Sequence, residues 1–147
     1  MAVYTNKDII YAAGIIDGEG CIDIAYNNPQ MSRPYGQYYV RVTLHNTSLE
    51  LLEWFKLRWK GSLRKLKFVE INHKQLYDWK LCAGRVMRFL KEIHPYLIVK
   101  KEEATIALLF NISKKVGRKG LSQEELITRK HLKQQLHESK SYGRRIA

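Results

Sequence analysis

The segment Tyr11-Ala12-Ala13-Gly14-Ile15-Ile16-Asp17-Gly18-Glu19-Gly20 reads as a helix that stops at a tight acidic turn. Ile9 and Ile10 precede it, and Ala12, Ala13, Ile15 and Ile16 follow too densely for a helix with one wet face. Burial on more than one side is expected. Gly14 and Gly18 stand four residues apart inside this helix, with Ala13 beside them. An interior glycine costs ~1 kcal/mol relative to alanine. Two on one face point to a second backbone that approaches closely, as in small-xxx-small helix pairs. Asp17 and Glu19 then place negative charge at the helix end, against the dipole. A sequence that accepts both penalties needs the packing and the carboxylates together.

The 147 residues suffice for one domain with a real core, and 45% apolar content fits a globular chain. The formal charge of +12 is lopsided: residues 1–60 are neutral overall, so residues 61–147 carry the whole excess. That balance implies a polyanionic partner, with nucleic acid favoured over a membrane surface. Cys21 and Cys82 make no zinc pattern and read as reduced, buried thiols of an intracellular protein. The first residues lack the features of a signal peptide. No run of ~18 apolar residues exists to span a membrane.

Thr5 and Asp8 form a capping box for the first helix, about residues 6–17. From Cys21 to Tyr26 the chain alternates, with Ile22, Ile24 and Tyr26 inward and Asp23 and Ala25 outward. A loop from Asn27 to Gly36 leads to a second alternating run. There Tyr38, Val40, Val42 and Leu44 face inward, and Gln37, Tyr39, Arg41 and Thr43 outward. Thr47 or Ser48 caps a helix over about 48–59, and Gly61 ends it. Strands near 62–70 and 75–81 follow. The facing of Arg64-Lys65-Leu66-Lys67 is ambiguous, and a bulge is one way to resolve it. Helices are expected over 84–94, from about 99 to 112, and over 122–138, the last with a Ser122-x-x-Glu125 box after a basic loop at 114–120. The expected fold is one α+β domain over residues 1–138, followed by a mobile basic tail over 139–147.

Ala12-Ala13-Gly14-Ile15-Ile16-Asp17-Gly18-Glu19-Gly20 resembles the nine-residue motif of the LAGLIDADG homing endonucleases. Asn46-Thr47-Ser48-Leu49-Glu50-Leu51-Leu52-Glu53-Trp54 resembles that family's second-strand exit and following helix, and Tyr77-Asp78-Trp79-Lys80-Leu81 its fourth strand. Arg88 to Leu97 resembles its third helix, with Lys100 or Lys101 matching the basic residue beyond. The likeness spans roughly residues 6–138. It departs at Ala12, Gly18 and Glu19, where the motif has Leu, Ala and Asp.

The resemblance implies an αββαββα fold with extra C-terminal helices and a curved antiparallel sheet seated in the DNA major groove. It implies a site-specific double-strand endonuclease, intron- or intein-encoded, that leaves short 3' overhangs. A one-motif chain would act as a homodimer through Ala13, Gly14, Asp17 and Gly18, with Asp17 an interface or cap residue. Glu19, with the Gly18 carbonyl, would hold Mg²⁺, with Mn²⁺ as another divalent cation and Ca²⁺ as a non-catalytic substitute. Lys100 would stabilise charge on the phosphate, with Lys101 the alternative, and Asn46 would order solvent. The family's basic residue just after Asn46 is absent. DNA contacts would come from Asp23, Ala25, Asn27, Gln37, Tyr39, Arg41, Thr43, Arg64, Lys65, Lys67, Asp78 and Lys80. A strand of about eight residues spans ~26 Å, so two subunits would cover on the order of 16–22 base pairs of double-stranded DNA. The alternative is a non-cleaving binder on the same fold, such as an RNA maturase. The host compartment, organelle or prokaryotic cytoplasm, stays open.

Overall fold

A computed structural model describes residues 4–32, 34, 36–67, 73–112 and 123–145, with side chains described to 110 and 140 in the last two helices. The chain runs α1 (Asn6–Glu19), β1 (Gly20–Asn27), β2 (Gln37–Asn46), α2 (Leu49–Trp59), β3 (Ser62–Lys65), β4 (Tyr77–Cys82), α3 (Gly84–Ile93), α4 (Lys101–Ile112) and α5 (Gln123–Arg145). The four strands form one antiparallel sheet in the order β1-β2-β4-β3. The α+β architecture is as expected from the sequence.

Thr5 caps α1 with the reciprocal box to Asp8, as the sequence predicts. Ala12, Ala13 and Ile16 are fully buried. The chain then turns so tightly into β1 that a Cβ on Gly20 would lie 2.9 Å from the Ile16 Cα. Glycine is required there for space.

One face of the sheet is the core. Ile22, Ile24, Val40, Val42, Leu44, Trp79 and Leu81 point into it. Phe55 and Trp59 of α2, Trp79 of β4 and Phe89 of α3 lock the helices to the sheet, with ring centroids 4.9 Å apart for Phe55–Trp79 and 5.0 Å for Trp59–Phe89. Aromatic pairs at such distances add ~1 kcal/mol each beyond their burial.

Several expectations change. Tyr26 is exposed, because the core side of β1 ends at Ile24. Ser48, rather than Thr47, caps α2 by accepting from the Leu51 N–H. β3 and β4 are shorter than expected; Leu66 still donates to the Leu76 carbonyl beyond the β3 ladder. The last helix continues to Arg145, so residues 139–145 extend it rather than forming a separate tail. Cys21 is exposed, and both cysteines are free thiols. Residues 114–120 and Ser122 lie outside the described residues. Among the described residues no helix is long and apolar enough to cross a membrane.

Candidate nuclease centre and nucleic-acid interface

The end of α1 resolves the charge penalty noted in the sequence. The Asp17 carboxylate accepts the backbone N–H groups of Ile98 at 2.7 Å, Val99 at 3.1 Å and Lys100 at 2.9 Å. These are amides just ahead of α4, where the helix dipole favours an anion. In return the Lys100 ammonium donates to the Asp17 carbonyl at 2.8 Å. It supplies, from another element, the cation that the last turn of α1 lacks. Asp17 thus ties α1 to α4, the cap role among the two expected for it. Ala13, expected on a dimer face, is corrected: it is fully buried in the chain's own core.

Gly14 and Gly18 behave differently. Both are exposed, and a Cβ on either would meet nothing within 4 Å. Nothing among the described residues requires glycine there. Ile10 and Tyr11, 46% and 52% exposed, lie on the same stretch of helix.

Glu19 is the last residue of α1 and is exposed. Its Oε2 accepts from the Asn46 amide at 2.5 Å, and Asn46 Oδ1 accepts the Ser48 N–H at 2.7 Å. Asn46 is therefore held between Glu19 and the N-terminus of α2, with its amide orientation set by both bonds. Residues 27 positions apart meet because β1 and β2 pair antiparallel, with Gly20 opposite Leu44. Lys101 opens α4 and is exposed, whereas Lys100 is half-buried against α1. Glu19, Asn46 and Lys100 thus gather around one helix end.

A single chain offers oxygen donors but no cage. Among the described residues no three His, Cys, Asp or Glu side chains cluster as a metal site. Glu19 leaves one carboxylate oxygen without a partner among those residues. One or two carboxylates with water suit a hard cation such as Mg²⁺, so the donor set fits that ion.

The sheet face away from the core carries the expected readers in register. Asp23 lies opposite Arg41, Ala25 opposite Tyr39, Asn27 opposite Gln37, Thr43 opposite Lys80, and Arg64 opposite Asp78. Arg41 is held by Asp23 at 2.9 Å. Asp78 is 1% exposed, beneath Arg64, whose Nη2 lies 2.6 Å away, and His45, whose Nε2 lies 3.3 Å away. Its expected role as a base contact is corrected: it is buried and accepts two hydrogen bonds from Arg64, which it orients. Ala25 is also buried, which limits its contact with any partner. Lys65 sits opposite Tyr77, a core-side residue, so alternation turns it away from Arg64's face. Lys67 is exposed beyond the end of β3. His45 was missed because the readable alternation stopped at Leu44, although the same period places it outward.

No protein-family model and no curated protein sequence matches the chain. Solved structures do. The homing endonuclease I-CvuI, in complex with its target and calcium, superposes with TM-score 0.75 over 91% of this chain and 82% of its own, at 17% identity. The chain has the LAGLIDADG homing-endonuclease fold. An archaeal intron-encoded homing endonuclease of the same fold, I-Vdi141I bound to DNA, gives TM-score 0.72 over 91% of this chain and 84% of its own, at 16% identity. The homing endonuclease I-TnaI covers 97% of this chain and 99% of its own with TM-score 0.65 and 17% identity. A second I-CvuI structure of this fold holds DNA, not cleaved, in the presence of magnesium.

Proposed function

We propose that this chain is a site-specific, divalent-metal-dependent DNA endonuclease that works as a homodimer, of the intron- or intein-encoded kind. The observation that carries the reading is the meeting of Glu19, Asn46 and Lys100 at the end of α1, on a fold of which I-CvuI and I-Vdi141I are described in complex with DNA. The open glycines support the dimer: a twin α1 laid along Gly14 and Gly18 would bring two Glu19 carboxylates together.

Glu19 and the Gly18 carbonyl are the groups to hold the cation. A divalent ion there would supply an activated water and charge stabilisation at the leaving oxygen. Asn46 fixes the Glu19 carboxylate through its amide and is itself anchored by α2. Lys100 keeps an ammonium at the helix end, in reach of a phosphate that displaces the Asp17 carbonyl from it. Arg41, Thr43, Lys80 and Arg64 line the groove-facing sheet, with Asn27, Gln37 and Tyr39 toward its far end. Arginine there suits guanine, and Asn or Gln suits adenine. Exposed lysines, Lys67 among them, suit phosphates and carry the salt dependence.

The test is Glu19→Gln on a target selected from a random duplex library with Mg²⁺. Cleavage is expected to vanish while duplex binding stays within a few-fold. Cleavage at the wild-type rate by the variant would overturn the assignment. A wild-type chain that binds RNA and cleaves no duplex would replace it with a maturase role.

A further inference from the structure

Helix α5 does more than cover α4. β1 is an edge strand of the sheet, and among the described residues one side of its backbone has no strand partner. Lys133 of α5 donates to the Ile24 carbonyl on β1 at 2.7 Å. Lys140, seven residues on, donates to the Cys21 sulfur at 3.4 Å. Seven residues of helix advance ~10 Å, and the three strand residues from Ile24 back to Cys21 span ~10 Å. The two lysines therefore follow the strand in step, and α5 runs along β1 toward Glu19.

Cys21 is two residues beyond Glu19. It lies on the outward face, because Ile22 and Ile24 fill the core side. Its cross-strand neighbour is Thr43, which in turn lies opposite Lys80. Lys140 thus adds a cation to a row of the groove-facing surface, at the end nearest Glu19. Its one hydrogen bond among the described residues goes to a thiol sulfur, a weak acceptor that leaves the charge available.

A second element points to the same place. Glu103, in the first turn of α4, is buried, and its Oε2 has no hydrogen-bond partner among the described residues. Its carboxyl lies within electrostatic reach of both Lys140 and Lys100, as well as of Asp17 and Glu102. Lys100 in turn sits on the Asp17 carbonyl. Two lysines, from α5 and from the α4 entry, converge on the ground between the end of α1 and the start of β1.

We propose that Lys140 is a second phosphate-contacting lysine of this centre, delivered by α5 to the DNA backbone at the cleaved bond. The proposal rests on the nuclease reading above. It makes the C-terminal helix part of the active site rather than a cover for the sheet edge.

The experiment compares Lys140→Gln, Lys140→Arg and Lys133→Gln with wild type in single-turnover cleavage with Mg²⁺. Duplex binding is measured in parallel across salt concentrations with Ca²⁺. Lys140→Gln is expected to slow cleavage at least ~10-fold and to reduce the salt slope of binding by ~0.9 per chain, at an unchanged melting temperature. Lys140→Arg should restore the slope and most of the rate, and Lys133→Gln should change neither. Wild-type cleavage and slope in Lys140→Gln would overturn the proposal. So would a loss of rate that tracks a fall in melting temperature and is not rescued by arginine. If the wild-type chain binds duplex without cleaving it, the nuclease reading fails, and the salt slope alone still decides whether Lys140 meets a phosphate.

Discussion

Asp17 is the residue whose removal the structure prices best. Its carboxylate accepts three amides, from Ile98, Val99 and Lys100, at the entry to α4. In Asp17→Ala all three lose their acceptor. Two of them are not stranded, because Ile98 and Val99 are 87% and 72% exposed and water can reach that backbone, and Lys100 is only half-buried. The cost is therefore that of a cap rather than of buried orphan donors. A lost cap costs ~1 kcal/mol, with an upper range of about 2, and the lost charge at the dipole adds roughly 0.3–1 kcal/mol. We expect Asp17→Ala to destabilise the chain by about 2 kcal/mol. Asp17→Asn should cost about half of that, because one amide oxygen still accepts the Val99 and Lys100 bonds made by Oδ1. The Lys100 ammonium binds the Asp17 backbone carbonyl, so either variant leaves that contact in place. The assay is urea unfolding at fixed protein concentration, paired with sedimentation. A loss below about 0.5 kcal/mol for alanine, with weakened self-association instead, would refute the capping argument and return Asp17 to a dimer face.

Two further outcomes follow from buried carboxyl groups. Asp78→Ala removes the anchor of Arg64 while leaving the exposed Arg64 charge in place. Discrimination at one base pair of each half-site should relax by about 1–3 kcal/mol, with an unchanged salt slope, measured by binding to single-base target variants; an unchanged target profile would count against orientation by Asp78. Burial raises the Glu103 carboxyl above its ordinary 4.5, against the pull of Lys140 and Lys100, while Glu102 and Asp17 push the same way as burial. The folded chain thus holds that proton more tightly than the unfolded one. The stability it contributes is whole below pH 4.5 and is lost as pH rises through the folded value. Glu103→Gln cannot ionise and should lose less stability than wild type in urea unfolding between about pH 4 and about pH 8; parallel losses in the two proteins would refute the argument.

Much of the fold was legible because local rules agreed with one another. Alternation in β1 and β2 placed Ile22, Ile24, Val40, Val42 and Leu44 inward, and each is buried. The Thr5 capping box marked the start of α1, while the helix runs through Gly18 to Glu19, two residues past its expected end. The reading faltered where periodicity is ambiguous or a strand ends. Lys65 could be turned only by its register with Tyr77. Tyr26 lies where the core side of β1 has already run out.

The opening segment shows where sequence and tertiary structure divide. By itself, the sequence determined that α1 carries apolar residues on more than one side, that two glycines stand four residues apart within it, and that its two acids stand at an unfavourable helix end. Those are consequences of spacing and of the dipole, which are local. Only the tertiary structure decided which acid does what. Asp17 turns to the amides ahead of α4, 81 residues or more away along the chain, and Glu19 turns to Asn46 across the β1–β2 pairing. It also set Ala13 in the core and left Gly14 and Gly18 open, and it carried Lys140 from α5 to the start of β1. No local pattern encodes those meetings, because each depends on how elements distant in sequence are docked by a shared core.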